Sequence, residues 1–222
     1  RTAKAYILYR EERTRRRQRR KSKAHRYTDN IPYHKLWEAL VWALDHDVYT
    51  VERLNARIAH GEFPDIVRES DALYEDDVDT AAMLIKDRLD EVRIAIIAGP
   101  SSSGKTTTTA KLAERLKDED VNFIALNVDN YFFDLELHPK DEHGDYDFET
   151  PQALDLALIN EHLVRLIEGE EVLIPFYDSK TGRRQDNATP MQVGPRDIIL
   201  IDSLHGLYKD MTKDVPDEQK FR

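Results

Sequence analysis

Residues 92–109 read VRIAIIAGPSSSGKTTTT. An apolar run over Ile94–Ile97 stops at Gly99. A loop of Pro100, three serines and Gly104 then leads into Lys105, Thr106 and a segment of helical character. Strand, glycine-bounded loop and helix, with Gly99-x4-Gly104-Lys105-Thr106 between them, fill the phosphate-loop pattern. A loop of this length wraps an anion so that successive backbone N–H groups point inward, and the helix N-terminus adds partial positive charge. The glycines permit close backbone approach and positive φ. Gly99, Ser101, Ser102, Ser103, Gly104, Lys105, Thr106 and Thr107 are therefore the candidate nucleotide-binding residues. Lys105 is placed to reach the outer phosphates, and the Thr106 hydroxyl to ligate Mg²⁺. The pattern dictates an α/β fold, a P-loop NTPase-type parallel sheet with flanking helices. It leaves the acceptor of the chemistry to the rest of the chain.

Composition narrows the class. With 40% hydrophobic and 34% charged residues the chain is of globular type, and no apolar run approaches the ~20 residues of a membrane span. There is no cysteine, which excludes a disulfide framework and a thiolate metal site. No secretory signal is visible, and a cytoplasmic protein is expected. The net charge of −10 conceals an asymmetry: residues 1–26 carry twelve Lys/Arg and two Glu, the remainder 21 Lys/Arg against 41 Asp/Glu. An acidic body argues against a nucleic-acid substrate. The chain opens on Arg1 and closes in a polar run, and it reads as a fragment of a longer protein with a C-terminally incomplete sheet.

Residues 3–24 read as one basic helix without Gly or Pro. A nucleic-acid arm is one reading, and a solvated helix extending from an upstream domain is the plainer one. Thr2–Arg17 (TAKAYILYREERTRRR) resembles the last helix of an ATP-cone, a small regulatory nucleotide-binding domain. Tyr27–Tyr33 has linker chemistry. Four short helices are expected next: one through Leu36, Trp37, Leu40 and Leu44, one over Asp47–His60, one through Ile66, Val67 and Leu73, and one from Thr80 to about Leu89. Trp37 and Trp42 read as core or interface. The expected organisation is a basic helix at 1–26, a helical domain or spacer at 27–90, and a partial kinase domain at 91–222.

Beyond the phosphate loop, a helix should bury Leu112 and Leu116, and Val121–Val128 reads as a second strand ending on Asp129-Asn130-Tyr131-Phe132. Ligands of open α/β sheets sit at the carboxyl ends of strands. Asp129 therefore arrives where an attacking hydroxyl needs a proton acceptor, although a turn or cap aspartate would look the same. Phe133–Thr150 is a long acidic connection, and Pro151–Ile167 reads as a helix with proline at its start. Val172–Asp178 and the turn over Ser179–Arg183 suggest a hairpin. Asp197–Asp202 (DIILID) is a buried strand ending on a carboxylate suited to Mg²⁺, or else on a helix cap.

From Val92 onward the chain resembles the uridine kinase and phosphoribulokinase family, in particular its bacterial uridine-kinase-like branch. The resemblance rests on GPSSSGKTTT (99–108), NVDNYFFD (127–134), GDYDFETPQALD (144–155), PFYDSKTGRR (175–184) and DIILIDSLHGLY (197–208). It implies that Asp129 activates the 5′-hydroxyl of a nucleoside, with Lys105 as its catalytic partner. It implies acceptor contacts through Phe148, Glu149 and Tyr177, and sets Asp202 where the family has a glutamate; Tyr131 and Arg183 are further candidate acceptor contacts, and Thr106 and Asp202 the candidate Mg²⁺ ligands. Two departures stand out. The family's Glu-Gly pair reads Asp202-Ser203, and the pyrimidine-reading histidine after the tyrosine is absent, with Gly182 near its position. An arginine-bearing lid that the family carries further on has no counterpart within these residues.

The expected function is transfer of the γ-phosphate of ATP or GTP to the 5′-hydroxyl of a nucleoside, uridine or cytidine in the first place. Other readings are a kinase of the same family acting on a phosphorylated sugar or pantothenate-like alcohol, and a nucleotide sensor with little turnover. Expected partners are the nucleotide and a small nucleoside, with no membrane, no nucleic acid and homo-oligomerisation left open.

Overall fold

The computed structural model describes residues 33–100, 102–119 and 121–222. The basic stretch 1–26, its ATP-cone-like helix and Ser101 lie outside the described residues. Backbone contacts divide the chain between Leu73 and Tyr74.

The first unit contains α1 (Tyr33–Asp45), α2 (Val51–Ala59) and the first turns of α3 (Phe63–Lys86). Thr50 caps α2 by accepting the Arg53 amide, a typical N-terminal device. Arg57 gathers Glu62, Glu69 and the His46 carbonyl, at 2.7, 3.1 and 2.7 Å. No side chain of α1 or α2 is buried among the described residues. Trp42 stacks on His46 at 4.3 Å.

The two helices expected through 66–73 and 80–89 are one helix of 24 residues. The acidic run Glu75–Asp79 reads like a break, but it contains neither Gly nor Pro. Its carboxylates instead face cations of the phosphate-loop helix α4 (Lys105–Leu116): Glu75 meets Lys111 and Arg115, and Asp79 meets Arg115 at 2.8 Å. The run is thus continuous, with Val78 buried on one side and its carboxylates paired to α4 on another.

In the second unit β1 (Ile94–Ala98), β2 (Phe123–Leu126), β5 (Ile198–Ser203) and β6 (Lys220–Phe221) form a parallel sheet in the order β2-β5-β1-β6. Strands buried on both faces need apolar residues at consecutive positions, and IAIIA and IILI supply them. Ala95, Ile198 and Leu200 face a layer made by Val78, Ala82 and Ile85 of α3 with Leu112 and Leu116 of α4. Ile94, Ile96, Ile199 and Ile201 face Ile159, Leu163 and Leu166 of α5 (Leu156–Ile167). The result is a three-layer α/β/α sandwich. Among the described residues no helix is long and apolar enough to cross a membrane.

Helix α5 starts later than the sequence suggests. Pro151–Ala153 is a separate 3₁₀ turn, and the α-helix begins only after Asp155, whose carboxylate accepts the Leu158 amide at 3.1 Å. The capping aspartate, and not the proline, sets the start. The long acidic connection is also more ordered than its composition suggests. Asp141 Oδ1 accepts the amides of His143 and Asp145, and Lys140 and Tyr146 form a bridge across the same turn. The hairpin β3 (Val172–Asp178)–β4 (Arg183–Met191) is antiparallel, with an irregularity at Pro175, which has no N–H for the ladder.

Helix α3 supplies a direct check on the layer assignment. Ile85→Ala, at a fully buried position, should cost about 2–5 kcal/mol in chemical denaturation. Met83→Ala on the exposed side of the same helix should change stability by no more than about 0.5 kcal/mol. Equal costs for the two would remove α3 from the sandwich.

Candidate active site

The phosphate loop leaves β1 at Ala98 and turns into α4 through two residues with positive φ, Ser102 (61°) and Gly104 (87°). Gly104 is the N-cap of α4 and offers no side chain to cap it, so the first amides of that helix are free for an external anion. A Cβ at Gly99 would stand 2.7 Å from Ser103 Oγ, so any larger residue there would push the Ser103 hydroxyl to another rotamer. Thr106 and Thr107 are exposed on the first turn. Lys105 Nζ donates to the Pro100 carbonyl at 2.9 Å and lies 3.7 Å from Asp202 Oδ1.

Asp202 sits at the carboxyl end of β5, paired in register with Ile97 of β1. The parallel pairing of the two central strands is what sets this carboxylate beside the phosphate loop. Ser203, which replaces the glycine of the family pattern, acts locally. Its Oγ accepts the His205 amide at 3.2 Å and closes the turn after β5.

Asp129 follows β2 in a 3₁₀ turn over Val128–Tyr131. The cap of that turn is Asn127, whose side chain accepts the Asp129 amide at 3.1 Å. Asp129 is therefore not the cap, and its carboxylate is left for other work. It can be reached by solvent, yet the surrounding protein removes enough water to raise its pKa above the ordinary aspartate range. The Asp202 carboxylate raises it further, and Lys105 opposes both. Asp129, Asp202 and Lys105 thus feel one another's charge at the carboxyl ends of β2, β5 and β1.

Asn130 ties the next wall to this turn, accepting the Tyr177 amide of β3 through Oδ1 at 3.4 Å. Tyr177, Phe132, Phe148 and His138 form an aromatic cluster with ring centroids 4.8–6.1 Å apart. The sequence points to Phe148 and Tyr177 here but not to Phe132 and His138. A signal for Phe132 exists: three residues after Asp129, it falls on the same side of a three-residue-per-turn helix. His138 carries none, because its approach depends on the fold of the acidic connection.

Tyr131, expected among the acceptor contacts, is a core residue. It is fully buried, and its hydroxyl pairs with His162 Nδ1 at 2.9 Å; burial raises its pKa, with a smaller contribution from Asp155. Arg183 is engaged by Asp134 and Glu136 at 3.1 and 2.7 Å, and its neighbour Arg184 by Asp155 and Asp186. Glu149 is exposed, with its amide bonded to Asp147.

No three metal-ligating side chains group together among the described residues. Mg²⁺ needs no such cluster, because it keeps several waters and is held by one or two carboxylates together with phosphate oxygens. Among the described residues, Asp202 at the end of β5 and Thr106 on the first turn of α4 could hold the ion. A cavity of about 500 Å³ bounded by Arg93, Gly169, Gln192 and Pro195 lies where β1 and β5 begin, at the other end of the sheet, and brings none of these groups together.

A parallel α/β sheet whose first strand feeds a phosphate loop, with a carboxylate ending the strand beside it, defines a P-loop nucleotide-binding protein. The family is narrower. The model of the phosphoribulokinase / uridine kinase family matches residues 94–219, more than half of the chain, and the chain belongs to that family. It is 31% identical over 121 residues to a uridine kinase of Bacillus pumilus, covering 54% of this chain and 56% of the relative. With a uridine kinase of Leuconostoc citreum it shares 29% over 125 residues, 56% of this chain and 59% of the relative. The chain thus spans a little over half the length of these curated relatives. A solved possible uridine kinase from Bacillus stearothermophilus superimposes with a TM-score of 0.48 at 19% identity, over 64% of this chain and 82% of that one.

The lysine offers the cleanest test of the loop. Lys105→Ala should abolish the rise in melting temperature produced by Mg·ATP while leaving the nucleotide-free melt within a few degrees. An undiminished ATP shift in the mutant would take the outer phosphates away from Lys105.

Proposed function

We propose that the protein transfers the γ-phosphate of ATP to the 5′-hydroxyl of a nucleoside, with a pyrimidine nucleoside such as uridine or cytidine as acceptor. The observation that carries this reading is the meeting of Asp129 with Lys105 and Asp202 beside a four-ring aromatic cluster. Phosphoryl transfer requires positioning and charge neutralisation more than covalent chemistry from the protein.

Asp129 accepts the proton of the attacking hydroxyl, and its raised pKa makes it a stronger base than an ordinary aspartate. Lys105 turns from the Pro100 carbonyl toward the outer phosphate oxygens. The free amides at the start of α4 hold the inner phosphates. Thr106 and Asp202 would hold Mg²⁺, which would add positive charge to neutralise the phosphates. Phe132, Phe148 and Tyr177 present ring faces and edges to a flat base, which is bound by stacking.

The nucleoside is favoured over a phosphorylated acceptor by charge. Arg183 and Arg184 are each matched to two carboxylates, so these two arginines are already compensated and less available to an acceptor phosphate. The names of the relatives support the same class.

The base assignment makes opposed demands on stability and rate. Because burial and Asp202 raise the Asp129 pKa, the folded state favours the protonated form, so stability falls as pH rises from the ordinary aspartate range through the raised value. A neutral side chain escapes that cost. Asp129→Asn should therefore melt at the same temperature as the parent or slightly higher at neutral pH, bind ATP normally, and lose at least about a hundredfold in kcat. Near-normal kcat would reject Asp129 as the base, and a large drop in melting temperature with kcat retained would make it a structural residue.

A further inference from the structure

Within the aromatic cluster stands a histidine with a ring nitrogen that has no hydrogen-bond partner. His138 is only 4% exposed. Its Nε2 lies 2.8 Å from the Phe133 carbonyl oxygen. A carbonyl can only accept, so Nε2 carries the proton, and in the neutral ring Nδ1 is an acceptor. That Nδ1 is buried and has no hydrogen-bond partner. Buried polar atoms in folded proteins are overwhelmingly paired, so an orphaned acceptor against a ligand-binding wall points to a partner that arrives with the ligand.

Local structure holds this acceptor in place. The turn Leu135–Leu137 that precedes it is pinned to the hairpin by Leu135 N–H donating to the Gly182 carbonyl at 2.8 Å. A side chain at 182 would forbid the seating, since its Cβ would stand 2.8 Å from that of Leu135. The ring then packs against Phe148 at 4.8 Å, Phe132 at 5.3 Å and Tyr177 at 6.1 Å. Phe148 is both the nearest of the three and the most exposed, at 43%. A second orphan borders the same segment. His205 Nε2 is buried and unpartnered, and the carboxylates acting on His205 are Asp147 and Glu149, the neighbours of Phe148 in sequence. Two unsatisfied ring nitrogens thus lie near one short segment, 147–149.

We propose that His138 Nδ1 accepts a hydrogen bond from an N–H on the edge of the acceptor's base, with Phe148 moving aside to admit it. This makes His138 a specificity-determining residue, and it rests on the nucleoside reading above. A site built to hydrogen-bond an N–H rejects an analogue that lacks it much more strongly than an apolar pocket can. The matching donor on a uracil-type base is the ring N3–H.

The test is a two-by-two comparison by calorimetric titration of the 222-residue chain with a non-hydrolysable ATP analogue present. Uridine and N3-methyluridine are titrated into the parent and into His138→Gln, whose amide keeps a donor for the Phe133 carbonyl but leaves no acceptor at Nδ1. The parent should bind uridine at least about tenfold tighter than N3-methyluridine, and in His138→Gln the ratio should fall to within about twofold, with the ATP-induced melting shift unchanged. A ratio that survives in His138→Gln overturns the proposal, because a purely structural histidine would be rescued by glutamine. If the parent binds neither nucleoside while its ATP shift is intact, the nucleoside reading itself fails. Should His138→Gln not fold, the parent's Nδ1 nitrogen resonance decides: uridine must move it in the direction of hydrogen-bond acceptance, and an unmoved signal at saturating uridine refutes the role.

Discussion

Two carboxylates and one lysine, brought to the ends of three different strands, set the terms for everything around them. Like charges at close range disfavour each other's ionisation, and loss of water disfavours it further. Asp129 feels both effects, and Lys105 partly relieves them. An arrangement of this kind persists only where the scaffold over-determines it. Here the scaffold is the parallel pairing of β1 with β5, which fixes Asp202 beside Ile97, and the Asn127 cap, which holds Asp129 in its turn. Without the two-sided apolar packing of those strands the three charges would relax apart into water.

The acceptor wall hangs on the same turn by polar threads. Asn130 holds the Tyr177 amide, Tyr131 anchors the turn in the core through His162, and the Tyr131 carbonyl receives the Asp155 amide just before α5. Asn130 and Tyr131 therefore tie the Asp129 turn to the hairpin and to α5 respectively. This explains why Tyr131 serves packing although it stands between residues that face the site.

Much of this is legible in the sequence, for a physical reason. Apolar runs of four or five residues ending on glycine or aspartate suit buried parallel strands, and the chemistry of such sheets sits at those ends. Hence Lys105, Asp129 and Asp202 stand out from the residues alone. What stays hidden depends on long-range partners. The continuous α3 packs Val78, Ala82 and Ile85 into the core and meets cations on α4 thirty-six residues away in sequence. The pairing of Arg183 depends on Asp134 and Glu136, and the approach of His138 depends on a close contact at Gly182. None of these leaves a periodic trace in the chain.

Whether the three charges meet can be measured without requiring turnover, by carboxyl-carbon NMR of Asp129 followed against pH in the parent, in Asp202→Asn and in Lys105→Met. Asp129 should titrate above the ordinary aspartate range in the parent. Its midpoint should fall when the Asp202 charge is removed and rise when the Lys105 charge is removed. An ordinary titration, indifferent to both substitutions, would mean that the residues do not share a site.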